Sequence, residues 1–326
     1  MSLVNALFPV ICIAALGYLA RHRHWLSESE ASVLERLSFS VLVPCLLFRG
    51  AATAVFPARL PWDYLGAFYL VVAVGYLGTM LLGHWRYRYS LRELSIFGMA
   101  AGYANATVLG IPITLAVLGE TALVPMLVII CVHNLVIFSF GTVLAEWSSP
   151  PLAAPAPLAA SSNLPSRLLT KLWRVATELV LNPISGSLLA GALLNSSGVP
   201  LPTLVERTLG LLAGAAIPGA VFGLGTSLVR YRLSGELGRT LLVVALKLLL
   251  LPALMWVVMV RWLAIEALWA SAAVMIAAMP TGISVYVFAR RYGCCEAVAA
   301  NAIVLSTLLA VFTLSGWAWW LQSGLS

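Results

Sequence analysis

Charge is what this chain has least of. Of its 326 residues only 10% are Asp, Glu, Lys or Arg, against roughly a quarter in an ordinary soluble domain. Hydrophobic residues make up 61% and the mean hydropathy is +0.98, so most of the chain does not face water. A water-soluble enzyme, a nucleic-acid-binding module and a disordered regulator are all excluded, despite the net charge of +7. Metal-site spacing is missing too. Five cysteines (Cys12, Cys45, Cys131, Cys294, Cys295) and four scattered histidines form neither a metal-ligand pattern nor a disulfide framework. The acidic residues, from Glu28 to Glu296, all avoid the middles of the apolar runs. Deep carboxylates are the usual cation carriers of membrane pumps, so a cation antiporter is disfavoured.

What is present is a series of long apolar runs. About 20 apolar residues cross the hydrocarbon core, and ten runs qualify: 3–20, 33–53, 62–84, 94–118, 121–145, 178–197, 205–229, 239–260, 264–289 and 296–321. The first has no basic leader and ends in Arg21-His22-Arg23-His24, the reverse of a cleaved signal, which predicts a retained span. Alternate connections hold fourteen of the nineteen Lys and Arg residues, and the opposite connections hold four. By the positive-inside rule this predicts a plasma (inner) membrane protein with both termini outside the cytoplasm. A Pro/Ala-rich stretch at 148–176 reads as a cytoplasmic linker between five spans in 1–147 and five in 177–326. An odd number of spans per half makes the second half inverted.

Corresponding spans of the two halves carry corresponding interruptions. Pro44 and Pro218 mark the second and seventh. The fourth contains AGYANATVLGIPITLAVLG (101–119), with Asn105, Gly110 and Pro112. The ninth contains AAMPTGISVYVFARRYG (277–293), with Pro280, Thr281, Gly282 and Ser284. Proline has no N–H and obstructs the carbonyl four residues back, so regular hydrogen bonding is expected to fail around 108–112, with Gly110 permitting the break. Pro112 and Pro280 suit the first turns of second half-helices. One such kink is ordinary packing; two in corresponding places are a pointer to a transporter site. If the breaks cross, N–H groups at Gly110–Pro112 and Pro280–Gly282 face one space and suit an anion. Asn105, Thr281 and Ser284 add neutral polar groups.

Three further polar residues lie inside spans. Lys247 sits about 12 Å past Arg239 at the helical rise. It either attracts an anionic substrate, compensates the negative ends of the first half-helices, or snorkels to the cytoplasm. His133 is either a proton carrier or a packing group. Asn134 offers an amide to a carboxylate without burying a charge.

At these residues the chain resembles the auxin efflux carrier family, which includes plant PIN-formed carriers and bacterial organic-acid transporters. Asn105-Ala-Thr-Val-Leu-Gly110-Ile-Pro112 is similar to the family's interrupted fourth span. MPTGISVYVFARRYG (279–293) and STLLAVFTL (306–314) resemble its ninth and tenth. The resemblance implies an all-α, ten-helix carrier of the bile-acid-symporter type: two inverted five-helix repeats with crossed discontinuous helices 4 and 9. It also implies a homodimer in which spans 1, 2, 6 and 7 are a scaffold and the rest an elevator. Asn105 and Asn134 match amides near the family's substrate. Leu47 stands where plant members carry a polar residue.

The resulting expectation is a secondary transporter, not an enzyme, moving small carboxylates such as malonate, malate or auxin-like acids, with no cofactor, metal or nucleic acid. A sodium-coupled organic-anion symporter and an intramembrane lipid-modifying enzyme are the rivals. The latter needs a positioned acid, base or metal, which no spacing here supplies. Orientation is directly testable: a periplasmic-active phosphatase fused after Ser326 is expected to be active, and one inserted in the 148–176 linker inactive.

Overall fold

In the computed structural model the chain is described over residues 3–55, 61–147, 183–229 and 235–324, with the side chains of 3–7, 134, 135, 146 and 324 outside the description. The 148–176 linker and the basic residues Arg59, Arg167, Lys171, Arg174, Arg230 and Arg232 therefore lie outside it. Among the described residues the regular structure is helical: α1 (Leu3–His22), α2 (Glu28–Thr53), α3 (Trp62–Tyr87), α4 (Leu91–Gly102), α5 (Ala106–Leu118), α6 (Leu123–Trp147), α7 (Pro183–Ser196), α8 (Thr203–Leu228), α9 (Leu237–Trp262), α10 (Ala267–Ala278), α11 (Ser284–Tyr292) and α12 (Glu296–Gly324). Six helical stretches are long and apolar enough to cross a membrane, and 8–22, 106–118 and 267–278 are shorter apolar helices. Their outward side chains are apolar as well: Leu211 is 80% exposed, Phe312 75% and Leu81 69%. Such faces suit lipid rather than water.

Local chemistry sets the helix starts. Ser27 and Ser90 each accept a hydrogen bond from the backbone N–H of a glutamate three residues on, and the carboxylate of that glutamate accepts one from the serine N–H. These reciprocal caps begin α2 and α4. Three helix-interior prolines share a second device. Pro44, Pro112 and Pro252 each follow a wide π-turn, at Ser38–Leu42, Ala106–Gly110 and Leu246–Leu250. Widening the turn relieves the clash with the carbonyl four residues back. At Pro252 that carbonyl belongs to Leu248, and it accepts from the Trp317 indole at 3.0 Å.

The predicted break at 108–112 is thereby corrected. Gly110 is helical (φ −61°), and the helix runs through Pro112 on the wide turn. The interruption lies earlier, at Tyr103–Asn105, between α4 and α5. In the ninth run it spans 279–283, between α10 and α11, so Pro280 precedes rather than opens the following helix.

Packing gathers the interrupted helices inward. Every residue from Leu94 to Gly102 and from Ala270 to Ala278 is buried. Helices α1 and α8 touch backbone to backbone: a Cβ at Gly17 would strike the Phe222 carbonyl, and one at Gly225 the Ala14 carbonyl. Helix α7 meets α2 the same way, with Gly191 against Phe48 and Ala51. The Asn195 amide closes the end of α2 on the carbonyls of Ala51, Ala52 and Ala54, at 2.7–3.1 Å. Small residues are what allow such approach in membranes. Gly17→Val or Gly225→Val is expected to destabilise by about 1–3 kcal/mol through overpacking, read as a lower melting temperature in detergent. Gly214→Ala, at an open position in α8, leaves it unchanged or slightly raised.

Candidate functional site

The two interruptions meet. Between α4 and α5 the chain is extended at Tyr103, and Ala104 pairs with Thr281 in an isolated antiparallel bridge. The Asn105 N–H donates to the Pro280 carbonyl at 2.9 Å, and the Gly282 N–H donates to the Tyr103 carbonyl at 3.1 Å. Each break thus supplies partners for the other. A side chain at residue 282 would run into the Tyr103 ring, which is why glycine stands there.

A broken helix exposes carbonyls at the end of its first half and N–H groups at the start of its second. The carbonyl ends are closed from within. Thr281 Oγ1 donates to the Ala100 carbonyl of α4 at 2.8 Å. Lys247 Nζ donates to the Ala277 carbonyl of α10 at 2.8 Å, from a side chain that is 0% exposed. Of the three readings of Lys247, the geometry is that of an ammonium on a negative helix end, and the side chain does not reach the surface.

The N–H ends are treated differently. Leu109 and Gly110 donate to the Asn105 carbonyl, at 3.3 and 3.0 Å. Thr281 N donates to Ser306 Oγ at 3.0 Å, and proline has no N–H. Of the amides expected to face an anion at Gly110–Pro112 and Pro280–Gly282, those of Gly110, Thr281 and Gly282 are therefore already occupied, and the two prolines have none. The groups that lack an acceptor among the described residues are instead the N–H groups of Ala106, Thr107 and Val108 in α5, and of Ile283 and Ser284 before and in α11. Both helix starts are uncapped. Asn105 occupies the N-cap of α5, where an Asn side chain ordinarily folds onto its own helix, yet it makes no capping bond while only 6% exposed.

Aromatic groups enclose one side. The His133 ring, 2% exposed, stacks on Tyr103 with centroids 5.3 Å apart and planes 15° from parallel, and it also contacts Phe68 and Tyr69. Neither ring nitrogen of His133 has a partner among the described residues. Asn134 follows His133 in α6, and its side chain lies outside the described residues. Asn105, Thr281, Gly282, Ser284 and, through Tyr103, His133 are brought together. Gly110 and Pro112 sit one turn further into α5 as shape-setting residues. Tyr103 and Ser306 were not among the candidates. Both stood in the quoted segments, but nothing in their spacing marked which partner each would take.

Among the described residues no carboxylate side chain is buried at the crossing, and free N–H groups at helix starts are the kind of donor that suits an anion. Among the described residues no three His, Cys, Asp or Glu side chains group to hold a metal. Comparison with known proteins relates the whole chain to membrane transporters. A model of the membrane transport protein family, Mem_trans, matches residues 2–318. The chain belongs to this auxin efflux carrier-type family of membrane transporters. It is 27% identical over 332 residues to a Rhizobium meliloti (strain 1021) protein named "Putative malonate transporter", covering 99% of this chain and 97% of the relative. It is also 27% identical over 323 residues to an "Uncharacterized transporter" of Methanothermobacter thermautotrophicus, with 98% of each covered. The "Uncharacterized transporter YfdV" of Escherichia coli (strain K12) is 26% identical over 321 residues, with 96% of each covered. This Mem_trans member is thus a multi-pass membrane transporter, not an enzyme.

The crossing makes a stability prediction. Thr281→Val strands the buried Ala100 carbonyl and is expected to cost about 1–3 kcal/mol. Gly282→Ala forces the bridge apart at Tyr103 and is expected to cost at least as much. Thermal unfolding of the purified variants checks both.

Proposed function

We propose that this Mem_trans member is a secondary transporter of small organic anions, binding a mono- or dicarboxylate such as malonate or malate at the helix crossing. The observation that carries this reading is the pair of uncapped helix starts with Asn105 beside them. A carboxylate placed there accepts from the Ala106–Val108 and Ile283–Ser284 N–H groups, and charge-assisted bonds of this kind are about twice as strong as neutral ones. Asn105 and Asn134 are the proposed side-chain donors. Thr281, Gly282, Gly110, Pro112 and Pro280 hold the backbone in shape, and Ser284 presents both an N–H and a hydroxyl. Lys247 supports the site electrostatically through α10 without contacting substrate, and His133 flanks it as the group that either packs or carries a proton. The name of the malonate-related relative supports the carboxylate class.

The proposed architecture is ten membrane spans in two inverted five-helix repeats, working as a homodimer by elevator-type alternating access. In support, the glycine-mediated contacts join α1 to α8 and α2 to α7, whereas the crossing is built from α4, α5, α10, α11 and α12. Motion of the second group past the first carries the site between the two sides, with both termini outside the cytoplasm.

The test is malonate flux in proteoliposomes. Asn105→Ala, which removes a donor to a charged ligand, is expected to weaken affinity about tenfold or more while the melting temperature stays near that of wild type. Unchanged flux and affinity contradict the assignment. Replacing sodium by potassium is expected to leave flux intact; loss of flux favours the sodium-coupled reading.

A further inference from the structure

A second space, apart from the crossing, opens among the described residues. It has a volume of about 670 Å³ and lies between α1, α5, α8 and α12. Its walls are apolar (Val10, Ala14, Leu109, Leu224 and Leu314 among them), with Thr307 and Tyr18 the polar residues lining it. Thr307 Oγ1 is buried without a hydrogen-bond partner among the described residues. Space for about twenty waters at ~30 Å³ each is available, but a buried water needs two to four polar partners. Two hydroxyls cannot serve twenty waters. Among the described residues no charged side chain lines the space either, so a small carboxylate finds no charged partner there.

Length and charge identify the occupant. Along α1 the lining runs from Val10 to Leu19, about 14 Å at the helical rise, close to one leaflet's share of a ~30 Å hydrocarbon core. The rim residues Tyr18 and Leu19 are 42% and 38% exposed. Directly beyond them α1 ends in Arg21-His22, and Arg23-His24 follow in the turn after it. Arg21 already leans on Glu28 at 3.8 Å and on the Leu26 carbonyl at 3.5 Å. Arg23 is exposed and available to a headgroup. Basic residues at the membrane edge beside an interhelical space are the arrangement that recruits anionic lipid.

The geometry points to a binding site for an anionic phospholipid, one acyl chain filling the cavity and the phosphate held at Arg23. The inference stands apart from the transport reading, since it concerns a different space and a different ligand. It does connect the two regions: Leu109 and Ile113, on the helix whose first turn carries the bare amides, form part of the wall. A chain seated there lies between α5 and the α1–α8 pair.

Phosphatidylglycerol bearing a diazirine near the end of one chain, in phosphatidylcholine nanodiscs, tests this on the wild-type protein. Photolabelling is expected within residues 10–19, 109–113 and 304–314, competed by unlabelled phosphatidylglycerol about fivefold better than by phosphatidylcholine, the preference expected for one interfacial arginine. Arg23→Gln is expected to abolish that preference, and Ala15→Trp to block labelling inside the cavity while outward residues such as Phe312 still react. Labels confined to outward faces, or equal competition by the two lipids in the wild type, overturn the proposal.

Discussion

In a hydrocarbon setting every backbone polar group must find a partner within the protein, and each one left unpaired costs several kcal/mol. That constraint organises this molecule around the Ala104–Thr281 bridge. Two helices stop short, and each stop provides the partners the other lacks. The carbonyl ends receive donors of increasing strength: a backbone N–H, the Thr281 hydroxyl and the Lys247 ammonium. The amide ends receive no cap. Negative helix ends are therefore neutralised from within and positive ones left open, and the proposed preference for an anion rests on this asymmetry rather than on any single residue.

The rest of the fold holds that arrangement in place. Wide turns ahead of Pro44, Pro112 and Pro252 let prolines sit inside helices without ending them, and Trp317 takes the carbonyl at the last of these. Backbone contact at Gly17, Gly191 and Gly225 locks helices α1, α2, α7 and α8 to one another. Full burial of the facing stretches of α4 and α10 means that the crossing is approached through packed side chains on one flank and through the Tyr103–His133 stack on another.

Much of the helical layout was legible in the sequence because length and hydropathy decide it. The interruption of the ninth run at Pro280–Gly282 was legible for a related reason: proline beside glycine leaves the backbone little else to do. The interruption of the fourth run was misplaced by about five residues. Proline was the visible signal at 112, but a π-turn absorbs a proline locally, whereas the actual stop at Tyr103–Asn105 is set by pairing with a segment far away in the chain. Local helical continuity uses the Gly110 amide, and contacts from far away in the chain use those of Thr281 and Gly282, which leaves Ala106–Val108 open. Asn105 was recognisable as polar in an apolar run, yet its failure to cap its own helix is a conformational fact. Ser306 and Tyr103 serve the crossing through partners from distant segments, and no local pattern announces that.

The most direct test of the account is a solid-state NMR distance between bound malonate, labelled with carbon-13 at its carboxyls, and protein labelled with nitrogen-15 at Ala106, Thr107 and Val108. A carboxyl carbon is expected within about 4 Å of at least one of these nitrogens, the separation that an N–H···O bond enforces. Saturating malonate that is bound with no coupling to any of the three would contradict it.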